Sequence, residues 1–487
     1  MGNGYPENPN FHKLNLPQKD CRNWQEEMAH DPSLLEWEGR YYVYSTDTFG
    51  APSGYQIRVS DDLVHWQYLG SAFSLAGTEE HYKRGEGENY GNLQEAFDWC
   101  VTAGERGVCT HTDGRMGFWA PHCVRGTDGK FWLYFCLTGY FGGSKSCIGL
   151  AKSNSPTGGF VCEKILVKSP AGWRTPNAID PQVFFAEGRM FLIYGSYGLG
   201  LHLLELDPAT GERKVPHTYS EFENKKCSFA DYYGVRLASG SVEGGVIKYH
   251  KDVPVLIGGK QTKKSFYYLL CSYGSLSSAY NIRCGRSETP EGPYLDVNGN
   301  ALFCSTDIGT GNKLLGSFAR KGEPDCFCPG HNDMFTTADG VNVLSMHCRT
   351  HGIRRGGWLL HYLRIAQYAF NSDGWIVVNS NRYAGERLRH VSREELTGVF
   401  EGVLLQQSVE TLSGERVELH ADGTVTGALN GEWRLYGENY FSLRTADDEY
   451  LGVVMPAWIE GQTKAGLTVS ALGRKSGMSL FLNGAKE

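Results

Sequence analysis

Three carboxylates in this chain stand where an acid and a base could be paired. Asp31 lies in AHDPSLLEWEGRYYVYST, Asp180 in NAIDPQVFFAEGRMFLIYGS and Glu243 in SGSVEGGVIKYH. Among 54 acidic residues a lone aspartate carries no information. These three are singled out because each sits at a strand-like apolar run, flanked by proline, glycine or aromatic residues that would aim it inward. Asp31 and Asp180 are both followed by proline, which is tolerated at the entry of a strand and not in its middle. Either Asp-Pro pair alone reads as an ordinary strand-entry turn; the same placement twice, with a glycine-flanked glutamate, reads as a site. Carboxyls brought from separate segments suit hydrolysis of a glycosidic bond. One acid protonates the leaving oxygen, and one carboxylate activates water or attacks the anomeric carbon. Other chemistries leave no trace: the chain has no G-x-S-x-G and no H-E-x-x-H, and GTGNKL at 309–314 lacks the third glycine of a dinucleotide fingerprint.

The elements that must hold these groups are strands. Short β-branched and aromatic runs recur between Gly, Asp, Asn and Pro turns: RYYVYST, GKFWLYFCLT, RMFLIYGSYG, SFYYLLCSYG and VNVLSMHCRT. The pattern is all-β. About five such units spread over some 370 residues predict a five-bladed β-propeller, each blade a small sheet of about four strands. Asp31 and Asp180 then fall at equivalent inner strand starts, near the axis. Residues 76–117 and 212–240 read as insertions, the first with a helical patch around Asn92 to Cys100; both are expected to rim the site. After NRYAGERLRHVSREELTG the strands become shorter and alternate, with turns every 8–12 residues. The expected division is a propeller over 1–385 and a small β-barrel or sandwich over 386–487, with a stabilising or carbohydrate-contacting role.

Bulk properties narrow the partners. The 487 residues are too many for one ordinary core, and no run approaches the roughly 18 apolar residues of a membrane span. Net charge is −7 with a pI near 6.1, and Lys and Arg are scattered, which argues against nucleic acid. Many of the 14 cysteines lie in apolar runs, such as Cys136 and Cys271, where a thiol acts as a small hydrophobe. Cys326 and Cys328, spaced C-x-C without a second pair, read as structural and not as a zinc site. The opening MGNGYPENPNFHKLNLPQKD has no basic segment followed by an apolar run. The expectation is a cytoplasmic protein as written, or a secreted one if a signal segment has been removed. Aromatic residues make up 13%, with 27 Tyr and 11 Trp; filling a β core explains most of them, and flat rings with polar tips also suit sugars.

Over residues 28 to 385 the chain resembles glycoside hydrolase family 43, five-bladed propeller enzymes acting on arabinan, arabinoxylan and xylan. The resemblance is carried in order by HDPSL (30–34), SDDLVHW (60–66), FWAPH (118–122), NAIDP (177–181), GSYGLGLHLLELD (195–207), SVEGGVIKY (241–249), YNIRCGRSETPEGPY (280–294) and PGHNDMF (329–335). NAIDP, PGHND and the C-terminal β segment are similar to the extended two-domain arabinanases. That resemblance implies an endo-acting hydrolase of α-1,5-linked L-arabinan. Asp31 would be the general base, Glu243 the general acid, and Asp180 the residue that tunes and orients the acid. The family inverts anomeric configuration, which implies carboxyls roughly 6.5–9.5 Å apart with water between. Trp119 would be a sugar-stacking wall or a blade-core tryptophan, Asn177, Ser196 and Tyr197 would line the subsite, and His30 would orient the base.

His331 matches the histidine that in arabinanase-like members faces the axis and meets a central metal, usually calcium, largely through water. The resemblance therefore implies calcium near His331, the other reading being a hydrogen-bonded core histidine. The sequence departs from the family in two ways: VEGG lacks the proline that often follows the acid, and the two insertions could close one end of a groove. Two other readings stay open, an exo-acting α-L-arabinofuranosidase or β-xylosidase of the same family and a non-catalytic glycan-binding propeller.

Overall fold

The structure is a computed structural model describing residues 28–46, 54–73, 93–100, 117–139, 142–305, 308–321, 326–355 and 358–485. Of the 76–117 stretch, the helix Leu93–Cys100 and Gly117 are described, the helix where the sequence predicts one; the rest lies outside the described residues.

Five sheets follow one another along the chain. Blade one runs through Ser33–Trp37, Arg40–Ser45, Gln56–Ser60 and Gln67–Ser71. Blade two runs through Gly117–Arg125, Phe131–Thr138, Ser146–Ser153 and Val161–Ser169. Blade three starts at Gln182–Ala186 and ends at Val235–Gly240, to which the short strand Phe303–Cys304 adds in parallel. Blade four starts with the long hairpin Val242–Ile257 and Lys260–Tyr273, and blade five starts at Phe327–Thr336 and ends at Ile376–Val378. The first strands of the five blades touch one another in a closed ring, blade five meeting blade one. The closure is tied by the Leu34 N–H donating to Asp333 Oδ2 at 2.9 Å and the Met28 N–H donating to the His361 carbonyl at 2.8 Å. This is the predicted five-bladed propeller.

Blades stack face to face, so a central strand is covered on both sides and needs no polar face. FWLYFCLT is buried at every position for that reason. Trp132, Tyr134 and Ile148 of blade two pack with Val183, Leu192 and Tyr194 of blade three in one such layer. The 212–240 stretch joins it: of two short helices, opened by capping boxes at Thr218 and Ser228, the second buries Tyr232 and Tyr233 in the same core, and the first rests Tyr219 and Phe222 against it.

One feature repeats at the axis. Each blade carries a left-handed residue at or just before its inner strand: Asp31 (φ 53°), Ala120 (φ 36°), Asp180 (φ 57°), Gly244 (φ 57°) and His331 (φ 47°). In blades two, four and five the ladder slips around that point, between Trp119 and His122, Glu243 and Val246, and Gly330 and Asp333. A bulge of this kind re-aims the neighbouring side chain. Five equivalent kinks therefore direct residues from five distant segments at one spot.

Residues 398–485 form a closed barrel in which Gly398–Leu404 pairs with the last strand, Ser479–Ala485, so the sandwich alternative does not apply. Its interior is filled by Phe400, Val417, Trp433, Phe441, Val454, Leu467 and other apolar chains, which leaves it a packed core. The barrel is also joined to the propeller. Val403, Leu405, Met455 and Phe481 share one apolar cluster with Leu314, Leu315, Met346 and Val378 of blades four and five. Glu460 of the barrel is held between Arg364 (3.2 Å) and Arg382 (3.4 Å), and the buried Lys313 ammonium donates to the carbonyls of Gln406 and Ser408 at 2.9 and 2.8 Å.

Candidate active site

Asp31, Asp180, Glu243 and His331 converge at the axis, and all four are largely buried. The Asp31 carboxylate is held on every side. Thr46 Oγ1 donates to Oδ2 at 2.5 Å, His30 Nδ1 lies 3.0 Å from Oδ2, and His331 Nδ1 lies 3.1 Å from Oδ1. Thr46 also ties blade one to blade two, because its Oγ1 accepts from the Ala120 N–H at 2.8 Å. Arg349 reaches His30 Nε2 at 2.9 Å. A guanidinium only donates, so His30 Nε2 must accept and its proton sits on Nδ1, pointed at Asp31. The Asp31 N–H donates to His347 Nδ1 at 3.3 Å, which makes that nitrogen an acceptor. His347 is kept neutral by burial, so its 3.4 Å approach to Asp31 Oδ1 is not an ion pair.

Electrostatics divides the carboxylates into two kinds. Burial pushes Asp31 upward, but the rings of His30 and His331 outweigh it and hold its pKa well below the carboxylate range. Asp31 is ionised at neutral pH. Burial raises Asp180 to about 8, the charge of His331 opposing and those of Glu243 and Asp31 adding. Burial likewise raises Glu243, against the hydroxyl of Tyr280, the charge of His331 and the hydroxyl of Ser196. Asp180 and Glu243 titrate together, and burial next to a third carboxylate keeps a proton on the pair. Ser196 Oγ donates to Glu243 Oε2 at 2.8 Å, and the Gly244 N–H donates to Asp180 Oδ2 at 3.3 Å. His331 is disfavoured as a cation by burial, yet Asp31, Asp180 and Glu243 raise its pKa above the ordinary value. One carboxylate ionised at neutral pH facing a pair that retains a proton is what acid and base catalysis of hydrolysis needs.

Of the residues implied as subsite lining, Ser196 holds the Glu243 carboxyl and Tyr197 follows it. Tyr197 is placed by its N–H donating to the Val242 carbonyl at 2.9 Å and its hydroxyl donating to the Gly274 carbonyl at 3.1 Å. Asn177 is buried with its Oδ1 unpartnered. Trp119 is half-buried: its ring folds back over Gly117 and packs on the core between blades two and three, so both of its readings keep some support. His30 belongs to the base's own network. Sequence reasoning missed Thr46, Tyr280, His347, Arg349 and His361. The signal for three of them was a polar residue every second position in buried strands: His347 and Arg349 share a side, and Arg349 is paired across with His361.

As direct ligands these side chains suit calcium poorly. It wants about six to eight oxygen ligands, whereas the cluster around Asp31 is made of imidazoles: His30, Asp31 and His347 place ligand atoms within 4.8 Å of one another, with His331 beside them. The carboxylate is already shared by Thr46, His30 and His331, and the Arg349 cation stands 2.9 Å behind His30. Asn332 adds one buried amide without a partner. The charged His331 ring already offsets the carboxylates.

Comparison with known proteins gives relatives along nearly the whole chain. An extracellular endo-α-(1→5)-L-arabinanase of Thermotoga petrophila is 29% identical over 93% of this chain and 93% of its own. Extracellular endo-α-(1→5)-L-arabinanase 2 of Bacillus subtilis is 28% identical over 92% and 91%. The crystal structure of endo-1,5-α-L-arabinanase from T. petrophila superposes with a TM-score of 0.77 at 27% identity, covering 95% of this chain and 99% of that one. A family 43 glycoside hydrolase from Bacillus licheniformis gives 0.76 at 28%, with the same coverage. The model of the C-terminal lipocalin-like domain that accompanies the family matches residues 380–482. The model of glycosyl hydrolases family 43 matches residues 97–376, more than half of the chain, and the chain belongs to that family.

Proposed function

We propose that this protein is an endo-acting hydrolase of α-1,5-linked L-arabinan that works by inversion. Asp31 is the base that draws a proton from water, Glu243 the acid that protonates the leaving oxygen, and Asp180 the group that keeps Glu243 protonated and oriented. The observation that carries this reading is the split in protonation: Asp31 is locked as a carboxylate by two imidazoles, while Asp180 and Glu243 are driven toward the protonated form. An ionised base and a retained proton are then both present near neutral pH. Water attacks the anomeric carbon from the Asp31 side as Glu243 gives its proton to the departing sugar, and the products carry the opposite anomeric configuration. The names of the two full-length relatives support arabinan as substrate and an extracellular location; finding the protein in the medium of its own host checks the location.

Product analysis on linear arabinan is the test. Wild type is expected to release mixed oligosaccharides whose first-formed anomer, read by proton NMR, is inverted. Glu243→Gln and Asp31→Asn are expected to lose on the order of 10²–10⁴ in rate. Release of monosaccharide alone would place the enzyme with the exo-acting members, and binding without turnover in wild type would leave a glycan-binding propeller.

A further inference from the structure

We propose that Trp173 is the floor of a sugar subsite on the leaving-group side of the cleaved bond, stacking on the next arabinofuranose ring of the chain. This rests on the arabinanase reading above.

Trp173 is exposed, at 37%. It is not a loose surface ring. Its backbone is left-handed, with φ at 57°, a conformation that costs a non-glycine residue about 1–2 kcal/mol. Its N–H donates to Ser144 Oγ at 3.0 Å, and Ser144 Oγ donates in turn to the Pro170 carbonyl at 3.0 Å. Ser169 Oγ closes the loop from below, donating to the Ser144 carbonyl at 2.6 Å. A strained backbone tied down this way, presenting a large apolar ring to water, points to a ligand for the ring.

The ring's place identifies the ligand. It lies against Gly198, where a Cβ would stand 2.8 Å from Trp173 Cε3. Gly198 is two residues beyond Ser196, which holds the Glu243 carboxyl at 2.8 Å. Trp173 thus lies against the turn that carries the acid's hydrogen-bond donor, and the sugar that departs with the protonated oxygen lies on the acid's side. Asn177 donates its amide to the Gly143 carbonyl at 3.4 Å, next to the Ser144 that holds Trp173, and keeps a buried Oδ1 with no partner. A flat apolar face beside an uncommitted acceptor is the pairing that recognises a furanose, whose C–H face needs contact and whose rim needs hydrogen bonds.

The experiment compares wild type, Trp173→Phe, Trp173→Ala and Gly198→Ala on arabinohexaose and linear arabinan, with circular dichroism and melting to confirm folding. Trp173→Ala is expected to raise KM about tenfold with kcat changed little, and to shift the cleavage position in arabinohexaose. Trp173→Phe is expected to recover most of the loss, and Gly198→Ala, by displacing the ring, to resemble Trp173→Ala. In the Glu243→Gln background, calorimetry with arabinohexaose is expected to show the same weakening on Trp173→Ala. A folded Trp173→Ala protein with unchanged KM and products would overturn the subsite, as would a Phe variant as impaired as Ala. No cleavage of arabinan by wild type would overturn the substrate reading itself and this inference with it.

Discussion

His331 is the residue on which the other charges turn. It touches Asp31 directly, and its charge lowers the pKa of Asp31, Asp180 and Glu243 alike. Replacing it by glutamine removes a cation, so each carboxyl should bind its proton more tightly. The acidic limb of kcat/KM reports Asp31 losing its proton, and the alkaline limb reports the Asp180 and Glu243 pair losing theirs. Both limbs of the His331→Gln profile are therefore expected to move to higher pH, and a profile moved in neither limb would show that the ring is uncharged in the free enzyme. The sequence showed His331 as a histidine of a matching motif; that it is a counter-ion for three carboxylates is a property of the assembled site.

At the scale of the element, the inner strand is the working part. Each is an edge strand with a left-handed kink at the axis, and the kinks, not the strands, decide where side chains point. Asp-Pro marked two of the five places as strand-entry turns; the left-handed conformation of Asp31 and Asp180 was not legible there, since proline favours an extended residue before it. The kinks at Ala120 and His331 carry no such mark, and the glycines after Glu243 gave only a hint. Gly244 permits a test. Its φ of 57° is free for glycine, and a Cβ there would lie 3.1 Å from Cγ and Nδ1 of His331. Gly244→Ala is expected to cost about 1–2 kcal/mol of stability, read by denaturant titration, and to lower activity further by displacing the imidazole. Full activity in that variant would show that the kink tolerates a side chain.

At the scale of the whole molecule, the barrel is a structural partner of the propeller. Its own interior is filled, and its outer strands complete the apolar cluster that blades four and five leave open. Glu460 is buried between Arg364 and Arg382 at this seam, and those guanidinia hold its carboxyl below the ordinary range despite burial. Glu460→Gln leaves two buried cations without their counter-charge, which is expected to cost about 3–5 kcal/mol. Equilibrium unfolding is the measurement, and a change of less than 1 kcal/mol would mean that water reaches the seam. Activity per folded molecule should be kept, since the seam does not touch the axis residues.

What the sequence determined by itself is what local pattern can encode. Turn residues between aromatic runs dictated strands, runs apolar on both faces dictated blades covered on both sides, and Asp-Pro at two strand entries marked two of the carboxylates. The tertiary structure decided everything that depends on residues far apart meeting. Arg349 fixes the tautomer of His30 from 319 positions away, Thr46 bridges Asp31 to the second blade, and Trp173 lies on Gly198 beside the acid's hydrogen-bond donor. These pairings have no periodicity to read, because they arise only when the ring of blades closes, and the shared burial that then follows sets which carboxyl keeps its proton.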